Sequence, residues 1–253
     1  MAFVKRLILA VQFCTIVPVG TVGRVADDDL RSSVLFYPAV GALLGTALYG
    51  ALFALRAALP PGPAAGVGLA LYTVLTGGLH ADGLMDVMDA VGSRRQREQA
   101  LEIMRDSRVG ALGSMAGTLL FIGKFSALQA LPVRTLYPFL LVPAASRLGM
   151  VFAMNLAPYA RADAGLGAVF AKKIPRRVVW GAVSITVLPG LLAAPAALAL
   201  ALPALAWLAA WAAARLAQRR FGGMTGDLYG ALNEVLEWAG WLVCLMFLHA
   251  GAV

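Results

Sequence analysis

The stretch GPAAGVGLALYTVLTGGLHADGLMDVMDA, residues 62–90, holds a lipid-loving run and a polar cluster side by side. Residues 64–80 carry no carboxylate, lysine or arginine, and a run of that length and apolarity is a candidate membrane span. Three aspartates then arrive within eight residues, Asp82, Asp86 and Asp89. Like charges repel, so a chain that prefers lipid gathers them only for a purpose.

The rest of the chain extends the first half of that pattern. Of 253 residues, 60% are hydrophobic and only 13% are charged, against about 25% charged in soluble domains. This predicts an all-α polytopic helical bundle, a single integral membrane domain over residues 1–253. Seven spans are expected, near residues 34–59, 64–80, 110–131, 135–156, 178–194, 196–214 and 232–253. Residues 7–19 are apolar but too few to cross a bilayer, and predict a short interfacial or re-entrant helix. Pro60-Pro61-Gly62-Pro63 reads as a tight turn. Cys14 and Cys244 stand far apart in apolar surroundings and give neither a disulfide framework nor a metal-ligand spacing.

The charges orient the bundle. With the N-terminus inside, all but four of the 21 lysines and arginines fall on the cytoplasmic side. Arg56 and Arg134 lie on the other side, and Lys124 and Arg147 lie within spans. That asymmetry is the positive-inside pattern and places the C-terminus outside. It also accounts for the net charge of +8 without a nucleic-acid partner. All 13 acidic residues fall at or near the same face. Carboxylates contribute little to orientation, so that face uses them for something else.

On a helix continuing past Gly83, Asp82, Asp86 and Asp89 fall at i, i+4 and i+7, on one face. Gly78, one turn earlier, leaves room for a ligand. His80 points to the opposite face unless Gly77-Gly78 breaks the helix; it reads as a base, a ligand or a packed histidine. Carboxylates about 6 Å apart repel by roughly 2–3 kcal/mol at an effective dielectric near 20. A hard cation such as Mg²⁺ turns that repulsion into attraction, with water and substrate phosphate completing its shell. A solvated acidic helix end is the plainer alternative, but an ionisable cluster in or at a membrane is functional by default.

Three further stretches add polar groups. In MRDSRVGALG, residues 104–113, Arg105 and Arg108 flank Asp106, and the arginine fork suits phosphate oxygens. Arg147, inside a span, needs a partner, either a substrate anion or the acidic cluster. Lys124 snorkels or pairs likewise. In FGGMTGDLYGALNEVLEW, residues 221–238, Asp227, Glu234 and Glu237 share a helix face, with Glu237 deeper than an interface position. The Gly-Gly-x-Thr-Gly run offers backbone N–H groups to an anion. Together these groups predict phosphoryl or nucleotidyl transfer at a membrane-embedded site. No GxxxxGK[ST] phosphate loop is present.

TGGLHADGLMDVMDA, MRDSRVGALG, PYARADAGLG (residues 158–167) and GGMTGDLYGALNE resemble the signature stretches of the cobalamin synthase (adenosylcobinamide-GDP ribazoletransferase) family. VQFCTIVPV, residues 11–19, resembles its N-terminal motif, with Cys14 where a leucine is more usual. The resemblance covers almost the whole chain in the right order. It implies a multi-pass transferase of the bacterial cytoplasmic (inner) membrane with its active site on the cytoplasmic face. The reaction it implies joins adenosylcobinamide-GDP to α-ribazole or α-ribazole 5′-phosphate and releases GMP, with Mg²⁺ as cofactor. Homo-oligomers and association with other cobalamin-assembly enzymes stay open. Carried onto the matching residues, it implies Asp82 and Asp86 as Mg²⁺ ligands and Asp89 as a third ligand or the base, with His80 beside them. Arg105, Arg108 and Arg147, with Asp106 between the first two, would neutralise the diphosphate. Asp227 and Glu234 would hold a second metal or a substrate hydroxyl. The Asp-Gly motif is also similar to that of CDP-alcohol phosphotransferases, whose following Ala-Arg is missing here. A transporter is the third class, disfavoured because no internal repeat is present and the carboxylates cluster at one face.

The charge asymmetry makes a direct prediction. In a variant lacking Cys14 and Cys244, single cysteines at Ser93 and Lys173 should label from the cytoplasm, and one at Gly62 from outside. Labelling of positions 93 and 62 from the same side would rule out the seven-span topology.

Overall fold

The computed structural model of the protein describes residues 2–161, 169 and 173–251. Helix α1 (Ala2–Cys14) is followed by α2 (Asp27–Ser33), which runs through one 3-10 turn (Val34–Phe36) into α3 (Tyr37–Leu55). Then come α4 (Pro61–Thr76), α5 (Leu79–Gly92), α6 (Arg97–Ile103), α7 (Ala111–Ala130) and α8 (Tyr137–Leu156). The last three are α9 (Arg176–Ala193), α10 (Ala196–Phe221) and α11 (Gly226–His249). Among the described residues 6 helical segments are long and apolar enough to cross a membrane, and the bent pair α4–α5 makes 7 if counted as one span. The expected bundle is therefore present, with its second crossing altered.

That alteration is the main departure from expectation. The helix does not continue from residue 64 past Gly83. It stops at Gly77 and Gly78, both in the left-handed region at φ +64° and +66°, where a side chain is strained and glycine is not. The chain turns there by 88°. Gly78 becomes the cap of α5 and leaves the aspartate face. Because α5 restarts at Leu79, ahead of Asp82, the i, i+4, i+7 spacing of the aspartates survives on a separate helix.

Two span boundaries also moved. Helix α10 runs to Phe221 and closes on Gly222 in a left-handed cap, seven residues beyond the apolar limit at 214. Helix α11 begins at Gly226, where the Thr225 hydroxyl accepts from the Leu228 N–H at 3.2 Å, rather than at 232. Capping groups end these helices; the arrival of charged residues does not.

Helix α8 is the hub, with 78% of its most apolar window buried against 22% for α9. It packs most closely on α3, where a side chain at Gly41 or Gly45 would overlap the backbone carbonyls of Pro143 and Phe139. Small residues at such a seam let helix backbones approach in lipid. Arg56 donates to the carbonyls of Leu128, Gln129 and Leu131 at 2.7–3.1 Å, so the C-terminal ends of α3 and α7 lie together. Helix α1, about 20 Å long, does not cross; it packs on α2 and α3, and Lys5 Nζ meets Asp29 at 2.6 Å.

Inside the bundle lies an ionic network. Lys124 of α7 donates to Glu234 at 2.6 Å and Glu237 at 2.7 Å, both on α11. The other Glu237 oxygen accepts from Arg147 of α8 and from the Tyr72 hydroxyl of α4. Two cations and two carboxylates cancel, and the network joins four spans. A Lys124→Met variant leaves two carboxylates in lipid with one cation and should lose about 3–5 kcal/mol of stability, measured as resistance to unfolding in detergent. Adding Glu234→Gln should recover part of it. A loss below about 1 kcal/mol in Lys124→Met would show that the network is not a structural requirement.

Candidate active site

Helix α5 lies against the first turns of α11, and the approach is tight enough to dictate glycine. A side chain at Gly83 would meet the backbone of Asp227, and one at Gly230 would meet the backbone of His80. The two helix starts enclose a cavity of ≈ 480 Å³ whose other walls come from α1, α2, α8 and Tyr159. Leu9, Phe13, Leu79, Met150, Tyr159 and Tyr229 make it largely apolar, and Asp82 and Asp227 stand among its few charged groups.

Three aspartates gather there. Asp82 is exposed, and Asp86, one turn along α5, is half-buried. Asp82, Asp86 and Asp227 lie within electrostatic reach of one another. Asp227 pairs with Arg161 at 3.1 Å and accepts from the Thr225 hydroxyl at 3.3 Å. Among the described residues no three histidine, cysteine or carboxylate side chains are close enough to hold a metal ion unaided. A cation there would need ligands from elsewhere.

Asp89 has other partners. Its two oxygens accept the backbone N–H groups of Gly110 at 2.7 Å and Gly113 at 2.8 Å. These are unpaired donors at the start of α7, where the helix dipole favours an anion. Side chains at either glycine would collide with that carboxylate, which explains both glycines of MRDSRVGALG. Asp89 thus locks α5 to α7, and both its oxygens are engaged.

His80 is buried in the cavity wall, facing α11. Its Nδ1 lies 3.0 Å from the Asn233 amide nitrogen, which also reaches Glu234 at 3.4 Å. A carboxylate accepts only, so the amide end facing both is NH₂, and His80 Nδ1 accepts from it. The ring proton then sits on Nε2, an atom without a hydrogen-bond partner among the described residues. In this state the unpaired ring edge of His80 is a donor, buried beneath the cavity wall.

The other sequence candidates divide into two groups. Arg105, Asp106 and Arg108 sit on the loop before α7, at the same end of the bundle. Arg108 donates to both Asp106 oxygens at 2.6–3.1 Å and holds that carboxyl down to about 2. Arg147 and Glu234 are instead deep in the ionic network, away from the cavity lining. The charge of Arg147 is met by Glu237 within the bundle, while its Nε and Nη2 have no hydrogen-bond partner among the described residues.

Tyr159, Arg161, Tyr229 and Asn233 were not singled out from the sequence. Arg161 reaches Asp227 because residues 158–160 pair with Met224 through backbone hydrogen bonds of 2.8 Å, a contact across more than sixty positions. The one available signal was PYARADAGLG, of which residues 162–167 lie outside the described residues. Tyr229 and Asn233 were visible only as members of GGMTGDLYGALNE.

Comparison with known proteins bears on all of this. A family model described as cobalamin-5-phosphate synthase matches residues 6–245. An adenosylcobinamide-GDP ribazoletransferase of Desulforamulus reducens is 38% identical over 253 residues, covering 96% of this chain and 96% of its own. One of Syntrophobacter fumaroxidans is 40% identical, covering 90% and 93%. One of Pseudomonas putida is 37% identical, covering 91% and 94%. No solved structure matches.

The Asp89 geometry makes its own prediction. Asp89→Ala should cost about 0.5–2 kcal/mol through the lost α7 cap, while Asp89→Asn keeps an acceptor oxygen and most of the stability. Divalent-cation affinity, measured by calorimetry, should fall less in Asp89→Asn than in Asp82→Asn. Equal losses would place Asp89 among the metal ligands.

Proposed function

The chain belongs to the cobalamin-5-phosphate synthase family, and we propose that it joins adenosylcobinamide-GDP to α-ribazole, or to α-ribazole 5′-phosphate, with release of GMP. The observation that carries this onto particular residues is the convergence of Asp82 and Asp227, which line the α5–α11 cavity, with Asp86 and Arg161 within electrostatic reach of them. The loops before α6, after α8 and before α11 meet at that end: Arg97 donates to the Ala160 carbonyl at 3.3 Å and packs on Gly222. These are basic loops of the cytoplasmic side in the charge scheme. That supports a reaction at the cytoplasmic face of a bacterial inner membrane.

In this reading the ribose 3′-hydroxyl attacks the cobinamide-side phosphorus of adenosylcobinamide-GDP. A new O–P bond forms while the phosphoanhydride bond to the GMP portion breaks. A carboxylate of the Asp82–Asp86 pair takes up the hydroxyl proton, and GMP departs with the electron pair of the broken bond. Asp89 positions α5 through the start of α7. Arg161, already beside Asp227, and Arg105 on the neighbouring loop offset charge on the diphosphate.

The donor set suits Mg²⁺. Asp82 and Asp86 on α5 and Asp227 on α11 present hard oxygens within electrostatic reach of one another, but no three of them are close enough to hold an ion unaided. Mg²⁺ is commonly held in this way by one or two carboxylates, with water and substrate phosphates filling the remaining positions. When bound, the ion neutralises the diphosphate and the developing charge of transfer.

Asp82→Asn keeps shape and removes charge. It should lower turnover at least about a hundredfold, the scale of losing one preorganised electrostatic group, with insertion unaffected. Mg²⁺ or Mn²⁺ should support transfer and Ca²⁺ poorly, since Ca²⁺ prefers more ligands at longer distances. Metal affinity should fall as pH drops through the carboxylate range, because protons compete for the same oxygens. Full transfer in excess EDTA, with no metal by elemental analysis, would overturn the metal role. An assay of purified protein in detergent with both substrates, the corrinoid product identified, tests the reaction itself.

A further inference from the structure

We propose that the cavity behind Asp82 and Asp227 is the subsite for the acceptor nucleoside, and that it encloses the bicyclic aromatic base of α-ribazole while the corrinoid stays outside. The inference rests on the transfer reaction above and assigns one of its two substrates to a place. Three observations carry it.

The first is size. A cavity of ≈ 480 Å³ falls low in the range of about 300–1,000 Å³ typical of small-molecule sites. It suits a nucleoside. A corrin ring with its amide arms and a nucleotide tail is several times larger and has to lie across the open cytoplasmic end.

The second is chemistry. The walls are Leu9, Phe13, Leu79, Met150, Tyr159 and Tyr229, and among the described residues no cation lines the space. An anionic diphosphate finds no counter-charge inside. An uncharged aromatic base finds apolar and ring surfaces on several sides, the usual lining of a site for a flat apolar ligand.

The third is a pair of polar atoms left over. His80 and Tyr229 are 4% and 3% exposed, and both line the cavity. His80 Nε2 and the Tyr229 hydroxyl have no hydrogen-bond partner among the described residues. Buried polar groups are nearly always paired. The hydrogen bond from Asn233 makes Nε2 a donor, and the tyrosine hydroxyl also donates. Both atoms are buried just beneath the cavity wall, so a small turn of either side chain is needed to bring its donor to the acceptors of a ribazole nucleoside, the free ring nitrogen of its base and the ribose oxygens. With the base inward, the ribose lies at the mouth beside Asp82 and Asp227, where its hydroxyl has to be for attack.

The test is a split of kinetic constants in full-length protein in detergent, with GMP release as the readout. Leu79 is 53% exposed at the start of α5, so Leu79→Trp should fold while narrowing the cavity; Met150→Phe narrows it from α8. Each should raise KM for α-ribazole at least about tenfold and leave KM for adenosylcobinamide-GDP within about twofold. His80→Gln, which keeps a donor near the Nε2 position, should raise the α-ribazole KM less than His80→Leu does. An unchanged α-ribazole KM in Leu79→Trp and Met150→Phe, or equal rises for both substrates, would overturn the assignment. Wild-type protein that releases no GMP from the two substrates would instead overturn the transfer reaction, which keeps the two failures apart.

Discussion

Helix α11 carries two carboxylates, Glu234 and Glu237, inside a membrane span, and the bundle is organised around compensating them. A lone charge there costs several kcal/mol or more, so opposite charges must come from other helices and stay put. Lys124 comes from α7 and Arg147 from α8, and Tyr72 adds a hydroxyl from α4. These contacts fix the rotation of α11 about its own axis. That rotation decides which way Asp227, Tyr229 and Asn233 face at the start of the helix. The cavity therefore inherits its geometry from an ionic cluster that does not line it.

The second constraint is the glycine pair at 77–78. A straight second span would carry the aspartates along its own axis, wherever that axis led. The left-handed turn lays α5 across the ends of its neighbours instead, where Gly83 and Gly230 let it touch α11 and Asp89 ties it to α7. One helix is thus held on two sides by backbone contacts, and its exposed face presents Asp82 and Asp86. Rigid support of this kind keeps transferring groups aligned without reorganisation during reaction.

Much of the fold was legible because lipid imposes a simple code. Apolar runs of span length have a direct physical cause. The boundaries that went astray, at 214 and 232, were drawn where charge begins, whereas the helices end at Gly222 and begin after Thr225, where capping groups satisfy the backbone. At the candidate site, the spacing of Asp82, Asp86 and Asp89 was correct, since it depends only on helical periodicity. Their different surroundings were not readable. Nothing local to Asp89 says that Gly110 and Gly113 will occupy it, and nothing local to Arg147 says that Glu237 waits ninety positions away.

The sequence by itself determined the class of molecule and the family signatures that name its reaction. These follow from composition and short spacing, which no folding step can change. Tertiary structure alone decided which polar groups meet partners within the protein. Asp89, Glu234 and the charge of Arg147 are met there, Asp227 pairs with Arg161, and His80 Nε2 and the Tyr229 hydroxyl have no partner among the described residues. The physical reason is that a hydrogen bond or ion pair needs its partner within about 3 Å, and residues far apart in the chain come that close only when helices pack.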